Sequence, residues 1–274
     1  MTGAAITGWI IESNRGPLGH PYAEAPGTMK QTTISACCLL AAVALAACGL
    51  PLGQAPSSPK PVNAKTTLDA ERGKVVFADD FKNARSGWVT GAVGGGPTTS
   101  YTDAGYVVVA AKRLVDNVVH SPYALALPQI SVAATAAVSL KSPKGSAPGV
   151  GCSRGPSDKT IKYTFLVAVG GGWELMRRDT RAGAKTPATV LKRGAPPAPV
   201  GIDPLVIEGM CATLSDGKTT RVVFFINGIE VADVADRVAD LPSVGWFGDL
   251  IVRGQKAAIT TVTVTQFEVR NLVV

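Results

Sequence analysis

The chain has 274 residues, a formal charge of +7, only 17% charged residues, and 30 Gly and 19 Pro spread along its length. With a mean hydropathy of +0.22, it carries enough apolar material for a core and enough turn residues to favour a β-rich fold, which excludes a disordered or all-helical protein. The basic balance suits an anionic neighbour such as lipid headgroups or an acidic wall polymer, or simple solubility, and no recognition motif points to nucleic acid.

Residues 1–28 carry no basic start, no apolar run and no periodicity, and read as a mis-assigned or disordered extension. Met29-Lys30 supplies the positive charge that opens a signal peptide. Residues 34–47 (ISACCLLAAVALAA) then make a short apolar run. A spanning helix needs about 20 apolar residues, so this run fits the core of a signal peptide instead. Leu45-Ala46-Ala47-Cys48, followed by Gly49, resembles the lipobox of bacterial lipoproteins. The resemblance implies that 29–47 is a cleaved signal peptide and that Cys48 is lipidated. Residues 48–73, rich in Pro, Ser and Ala, would be a tether, and 74–274 a folded domain. Such a protein is held to the extracytoplasmic face of the cell membrane through its acyl chains. The charges before Cys48 (Glu12, Arg15, Glu24, Lys30) cancel, so the domain and tether keep the whole +7.

Of five cysteines, Cys37, Cys38 and Cys48 belong to the leader, leaving Cys152 and Cys211. Two cysteines in an exported domain read as one disulfide more readily than as two free thiols. A zinc site lacks ligands, because the domain has one histidine, His120.

Strands are predicted in order along the domain. The first covers 75–81, and 98–101 with 106–110 form a hairpin. Further strands cover 132–140, 161–169, 173–178, 205–214 and 221–226. Asn227-Gly228 is a strong hairpin signal, with 229–231 returning. Strands at 244–252 and 259–269 close the series. In the last, Val262 and Val264 share one parity while Phe267 and Val269 take the other, which calls for a bulge or for burial on both faces. Residues 231–241 read as a turn or loop. About ten strands and almost no helix predict an all-β antiparallel sandwich or barrel.

Several stretches together resemble exported concanavalin A-like lectin/glucanase domains of the laminin-G and laminarinase type. Asp79, Asp80, Phe81, Gly87 and Trp88 match their opening strand. Gly149 to Arg154 resembles a "G-hydrophobic-x-C-R" strand, and Tyr163-Thr164-Phe165 a "Y-x-F" strand. The Cys211 strand with VVFFINGIEV, then Val244-Gly245-Trp246-Phe247 and Phe267 to Leu272, follow in the same order. The resemblance spans 75–272, implies a two-sheet jelly roll and fits a Cys152–Cys211 bridge. The carboxylate strand of the glycosidase members is missing, since 230–236 reads EVADVAD, so hydrolase activity does not carry over.

Candidate chemistry is sparse. Asp79 and Asp80 are neighbours and face opposite ways on a strand, so they read as strand-end caps before they read as a catalytic or calcium pair. Asp233 and Asp236 are no better placed. His120 beside Ser121 does not make a nucleophile–base pair by adjacency. The 91–96 glycine run lacks the Lys and helix of a phosphate loop. Arg177, Arg178, Arg181, Lys185, Lys192 and Arg193 form a basic cluster around a predicted loop: a solvated hairpin tip, or a contact for an anionic surface. Trp88, Tyr101 and Trp173, with Trp246, are candidates for stacking on a sugar and equally for the core. These readings imply no cofactor, no metal and a monomer. They point to a membrane-anchored domain that binds a glycan or an envelope partner without catalysis, with a carbohydrate-active enzyme on the same scaffold as the alternative.

Overall fold

The computed structural model describes residues 73–93, 96–155, 160–181, 188–197 and 204–273. These contain strands and no helix. In chain order they are β1 (Lys74–Asp79), β2 (Gly91–Ala92), β3 (Thr98–Thr102), β4 (Gly105–Ala110) and β5 (Asp116–His120). Next come β6 (Gln129–Val138), β7 (Ala147–Arg154), β8 (Ile161–Val167), β9 (Trp173–Asp179) and β10 (Ala188–Gly194). The last are β11 (Leu205–Thr213), β12 (Thr219–Ile226), β13 (Ile229–Arg237), β14 (Trp246–Arg253) and β15 (Thr260–Asn271).

The fold is an all-β, antiparallel, two-sheet jelly-roll sandwich. One sheet has nine strands, eight in the order β13-β12-β11-β6-β15-β4-β3-β2 and β1 paired with β15 off that path. The long β15 pairs β4 with its first half and β1 with its second. The other sheet has six strands, β10-β9-β8-β7-β14-β5.

The pattern of side chains explains the sandwich. Ile161, Tyr163, Phe165 and Val167 alternate along β8 and are fully buried against the facing sheet. On β15 the inward set switches from Val262 and Val264 to Phe267 and Val269, and the register with β6 shifts between Val264 and Gln266. A bulge at this point is one of the two outcomes the parity change required. Gly209 faces the Phe165 ring so closely that an added Cβ would lie 2.3 Å from it. Asn227 and Gly228, at φ 52° and 77°, turn β12 into β13 in the left-handed backbone that a two-residue hairpin needs.

Cys152 on β7 and Cys211 on β11 form a disulfide, both fully buried, which ties one sheet to the other through the core. Closing a loop of 59 positions stabilises by about 4 kcal/mol in the chain-entropy account.

Two segments differ from the sequence reading. Residues 229–237, expected to leave the sheet as a turn or loop after 231, are a continuous edge strand, β13. The apparent three-residue spacing of its acids is overridden by pairing with β12 along its whole length. The basic stretch around Lys192 and Arg193 is not a loop but β10, paired with β9. Cys48, the signal peptide and Lys185 lie outside the described residues.

Candidate functional site: a trough on the six-stranded sheet

Residues that pair across neighbouring strands share a face, so the outer face of the six-stranded sheet can be laid out as rows. One row is Arg178, Lys162, Ser153 and Phe247. The next is Met176, Thr164, Gly151, Asp249 and His120. The inward neighbours of these residues are core, which leaves a polar set on the side away from the other sheet.

That face is concave. Arg178 Nη2 donates to Asp116 Oδ2 at 2.6 Å, although β9 and β5 have three strands between them. On a flat sheet those strands stand about 19 Å apart, farther than the two side chains span. Gly149 and Gly151 on β7 keep the floor between them low. The trough holds a cavity of about 360 Å³ lined by Asp116, His120, Lys162, Thr164, Arg178 and Phe247, among others. This is the lower end of the size range of small-ligand sites. A more open groove of about 590 Å³ lies beside Tyr101, Asp80 and Lys82. Its carboxylate Asp80 is solvated and tied to neighbouring Lys82, so the polar groups there are ordinary surface groups.

The carboxylates of the trough are covered and fully engaged. Asp249 has no exposed surface. It accepts from His120 Nδ1–H at 2.7 Å and from the Ser153 hydroxyl, and Lys162 Nζ stands 3.2 Å away. Burial alone would push its pKa up; the His120 hydrogen bond and the Lys162 charge outweigh this and hold it below the usual carboxylate value. Asp116 follows the same logic. Burial is opposed by Arg253, whose Nε donates at 2.7 Å, and by Arg178, and the net shift is downward. Arg253 also reaches Glu174 Oε2 at 2.5 Å.

What is left over is donor capacity. Thr164, with no exposed surface, has a hydroxyl without a hydrogen-bond partner in the described structure, and so does the Nε of Arg178. Burying such groups unpaired is costly, so they mark a place where the fold leaves hydrogen bonds to something else.

No family model matches the chain, and no curated protein matches it in sequence. Several solved structures align with it over most of their own length. A carbohydrate-binding module, CBM66 from Bacillus subtilis, aligns at 17% identity over 68% of this chain and 94% of its own, with a TM-score of 0.43. A protein with a galectin-like fold, also from Bacillus subtilis, aligns at 14% identity, covering 74% and 98%, with a TM-score of 0.46. A prokaryotic β-1,3-1,4-glucanase (lichenase) from a mouse hindgut metagenome aligns at 11%, covering 72% and 99%, with a TM-score of 0.46. At these values no residue's role passes from them to this chain.

The residues singled out from sequence are distributed differently. Trp88 and Trp173 are core residues, with no face free for a sugar. Trp88 packs edge-on to Phe267, and its Nε1–H donates to Asp79 at 2.9 Å. Trp173 stands edge-on to Phe224 and donates to the Ala195 carbonyl. Both indoles are drawn inward because each finds apolar contacts and an acceptor there. Trp246 is likewise fully buried. Tyr101 is half-buried in the same aromatic cluster, its hydroxyl accepting from Trp88 N–H and bonded to Ser86. Asp79 caps the end of β1 by accepting from Phe81 N–H at 2.7 Å.

The basic cluster is divided. Arg177 and Arg178 are consecutive on a strand and point to opposite faces. Arg177 binds both oxygens of Asp236, at 2.8 and 2.9 Å, while Arg178 enters the trough. Arg181 binds Asp179 and two carbonyls, Ala239 and Asp240. Lys192 and Arg193 lie on β10. Among the described members of the cluster, only Arg178 belongs to the trough.

Chemically, the trough can hold a polar ligand and orient it. Asp116 and Asp249 are offset by four positions on the paired strands β5 and β14, about 13 Å at 3.3 Å per residue. Acid–nucleophile or acid–base carboxylates of glycosidases stand about 5–9.5 Å apart. Both carboxylates here are also held ionised by cations, the opposite of a general acid.

Proposed function

We propose that this protein is a lipid-anchored envelope protein whose β-sandwich binds a glycan in the trough of its six-stranded sheet. The observation that carries the reading is the concave cavity with buried, unpaired hydrogen-bonding groups at its floor, Thr164 above all. Sugars present many hydroxyls in fixed directions, and a few convergent polar groups beside an apolar surface such as Phe247 recognise them. Binding is favoured over hydrolysis because Asp116 and Asp249, the carboxylates of the trough, sit four positions apart along their paired strands. Anchoring rests on the Leu45-Ala46-Ala47-Cys48 motif and on the Pro-rich segment after it.

A glycan and wall-polymer array probed with the purified full chain tests the binding role. Retention of a defined oligosaccharide supports it, and silence across the array rejects it. Fractionation of cells carrying Cys48→Ala tests the anchor: the protein is expected in the soluble fraction or as unprocessed precursor, and normal membrane retention rejects the anchor.

A further inference from the structure

Resting on that reading, we infer that the ligand is an acidic sugar, one that carries an oxyanion as a uronate carboxylate or a sulfate ester. The inference comes from an inventory of donors and acceptors in the trough. The acceptors are used up. Asp249 is surrounded by the Ser153 hydroxyl, His120 and Lys162, and Asp116 by Arg178 and Arg253. Glu174 takes Arg253.

The donors are not used up. An ammonium has three N–H groups and a guanidinium five. Among the described residues, Lys162 Nζ lies 3.2 Å from a single carboxylate, and Arg178 spends Nη2 on Asp116 while its Nε has no partner. The Thr164 hydroxyl is free to donate as well.

Accessibility points the same way. The side chain of Arg178 is 38% exposed and that of His120 71%, while those of Asp116 and Asp249 are 3% and 0% exposed. A ligand entering the trough therefore meets Arg178 and His120 first, while the carboxylates of Asp116 and Asp249 stay covered. A neutral sugar would leave the surplus donors of Lys162 and Arg178 poorly matched. An oxyanion accepts from both in charge-assisted hydrogen bonds, and a guanidinium can present two parallel N–H groups to it. The Phe247 ring supplies an apolar surface for the sugar itself.

The test is calorimetry of the purified full chain with four probes: an oligogalacturonate, a sulfated galacto-oligosaccharide, a neutral galacto-oligosaccharide and inorganic phosphate. One or both acidic oligosaccharides are expected to bind at least tenfold more tightly than the neutral one, and less tightly as salt rises. Which of them binds identifies the oxyanion. Thr164→Val removes a hydroxyl that has no partner among the described residues. It should weaken the acidic oligosaccharide about tenfold in a protein at least as stable as the parent. Arg178→Gln leaves Asp116 bound to Arg253, so folding is retained, and it should abolish the preference for acidic over neutral sugar. Equal affinity for neutral sugar, or unchanged binding by Thr164→Val, overturns the inference while glycan binding stands. Phosphate binding as tightly as the sugars also overturns it, leaving only an oxyanion site. Binding of none of the oligosaccharides removes the glycan reading and this inference together.

Discussion

The outer faces of the two sheets carry the same kinds of side chain and use them differently. On the nine-stranded sheet, Arg221 on β12 pairs with Asp233 on β13 across adjacent strands, and their side chains are 45% and 38% exposed. Arg270 pairs with Glu268, two residues away on β15. Each of these pairs is local and wet. On the six-stranded sheet, Asp249 is out of water altogether, and Arg178 reaches across the trough to Asp116. Exposed pairs of this kind contribute little and place few demands on their surroundings. Buried ones are tolerated only when every partner is present, and they fix the shape of whatever surrounds them. The contrast shows which face the fold has committed to a specific geometry.

The comparison breaks most visibly at Asp249. Asp249→Ala leaves Lys162 and the His120 imidazole beside an uncompensated buried site, and it should cost about 3–5 kcal/mol in urea denaturation. Asp233→Ala on the other sheet should cost less than about 1 kcal/mol. Equal losses at the two positions would remove the distinction between the faces.

Acid should separate the faces next. Asp249 and Asp116 have folded-state pKa values below the ordinary aspartate value of about 3.9. A depressed folded pKa contributes stability that is fully present above the unfolded value. It is lost as pH falls from there through the folded value, because the unfolded chain takes up the proton first. The urea midpoint should therefore hold between pH 7 and 5 and fall below about pH 4. In Asp116→Asn this acid-side slope should be shallower. An unchanged slope would mean that the trough carboxylates do not set the acid limit.

How far the sequence shows this depends on the range of the interaction. Alternation of Ile161, Tyr163, Phe165 and Val167, the Asn227-Gly228 turn and the parity change at Thr265 are local signals, and each corresponds to a strand, a hairpin or a bulge. The disulfide was legible by elimination, since only Cys152 and Cys211 follow position 48. The site was not legible. His120 and Asp249 are 129 positions apart and meet because β5 lies beside β14. Thr164 looks like any strand threonine until the curvature of the sheet covers it. Of the two readings open for the tryptophans, sugar platform or core, burial supports the core for Trp88, Trp173 and Trp246. In Arg177 and Arg178 the sequence shows two like charges, and only the strand they occupy sends them to opposite faces. Local reading therefore finds the scaffold, and long-range pairing decides the site.

Thr164→Val should sharpen the contrast with a change of sign. An unpaired buried hydroxyl destabilises, so its removal should raise unfolding free energy by about 1 kcal/mol. The same change at Thr135, on the exposed face of the other sheet, should stay within about 0.5 kcal/mol of zero. A destabilised Thr164→Val would mean that the hydroxyl already has a partner within the fold, and its part in ligand binding would go with it.

The smallest effect is expected at Arg221 and Asp233. A double-mutant cycle with Arg221→Ala and Asp233→Ala isolates their coupling from whatever else each residue touches. The geometry is good, with Arg221 Nη2 2.8 Å and Nε 3.1 Å from Asp233 Oδ2. Geometry alone does not make such a pair strong, because solvent surrounds both partners, and holding two long side chains together opposes the gain. The coupling should be about 0.2–1 kcal/mol and should fade in molar salt, where the Debye length shrinks to about 3 Å. A coupling above about 2 kcal/mol that survives salt would exceed what an exposed pair provides. It would mean that an exposed pair on the nine-stranded sheet holds its geometry as firmly as the buried pairs of the trough hold theirs.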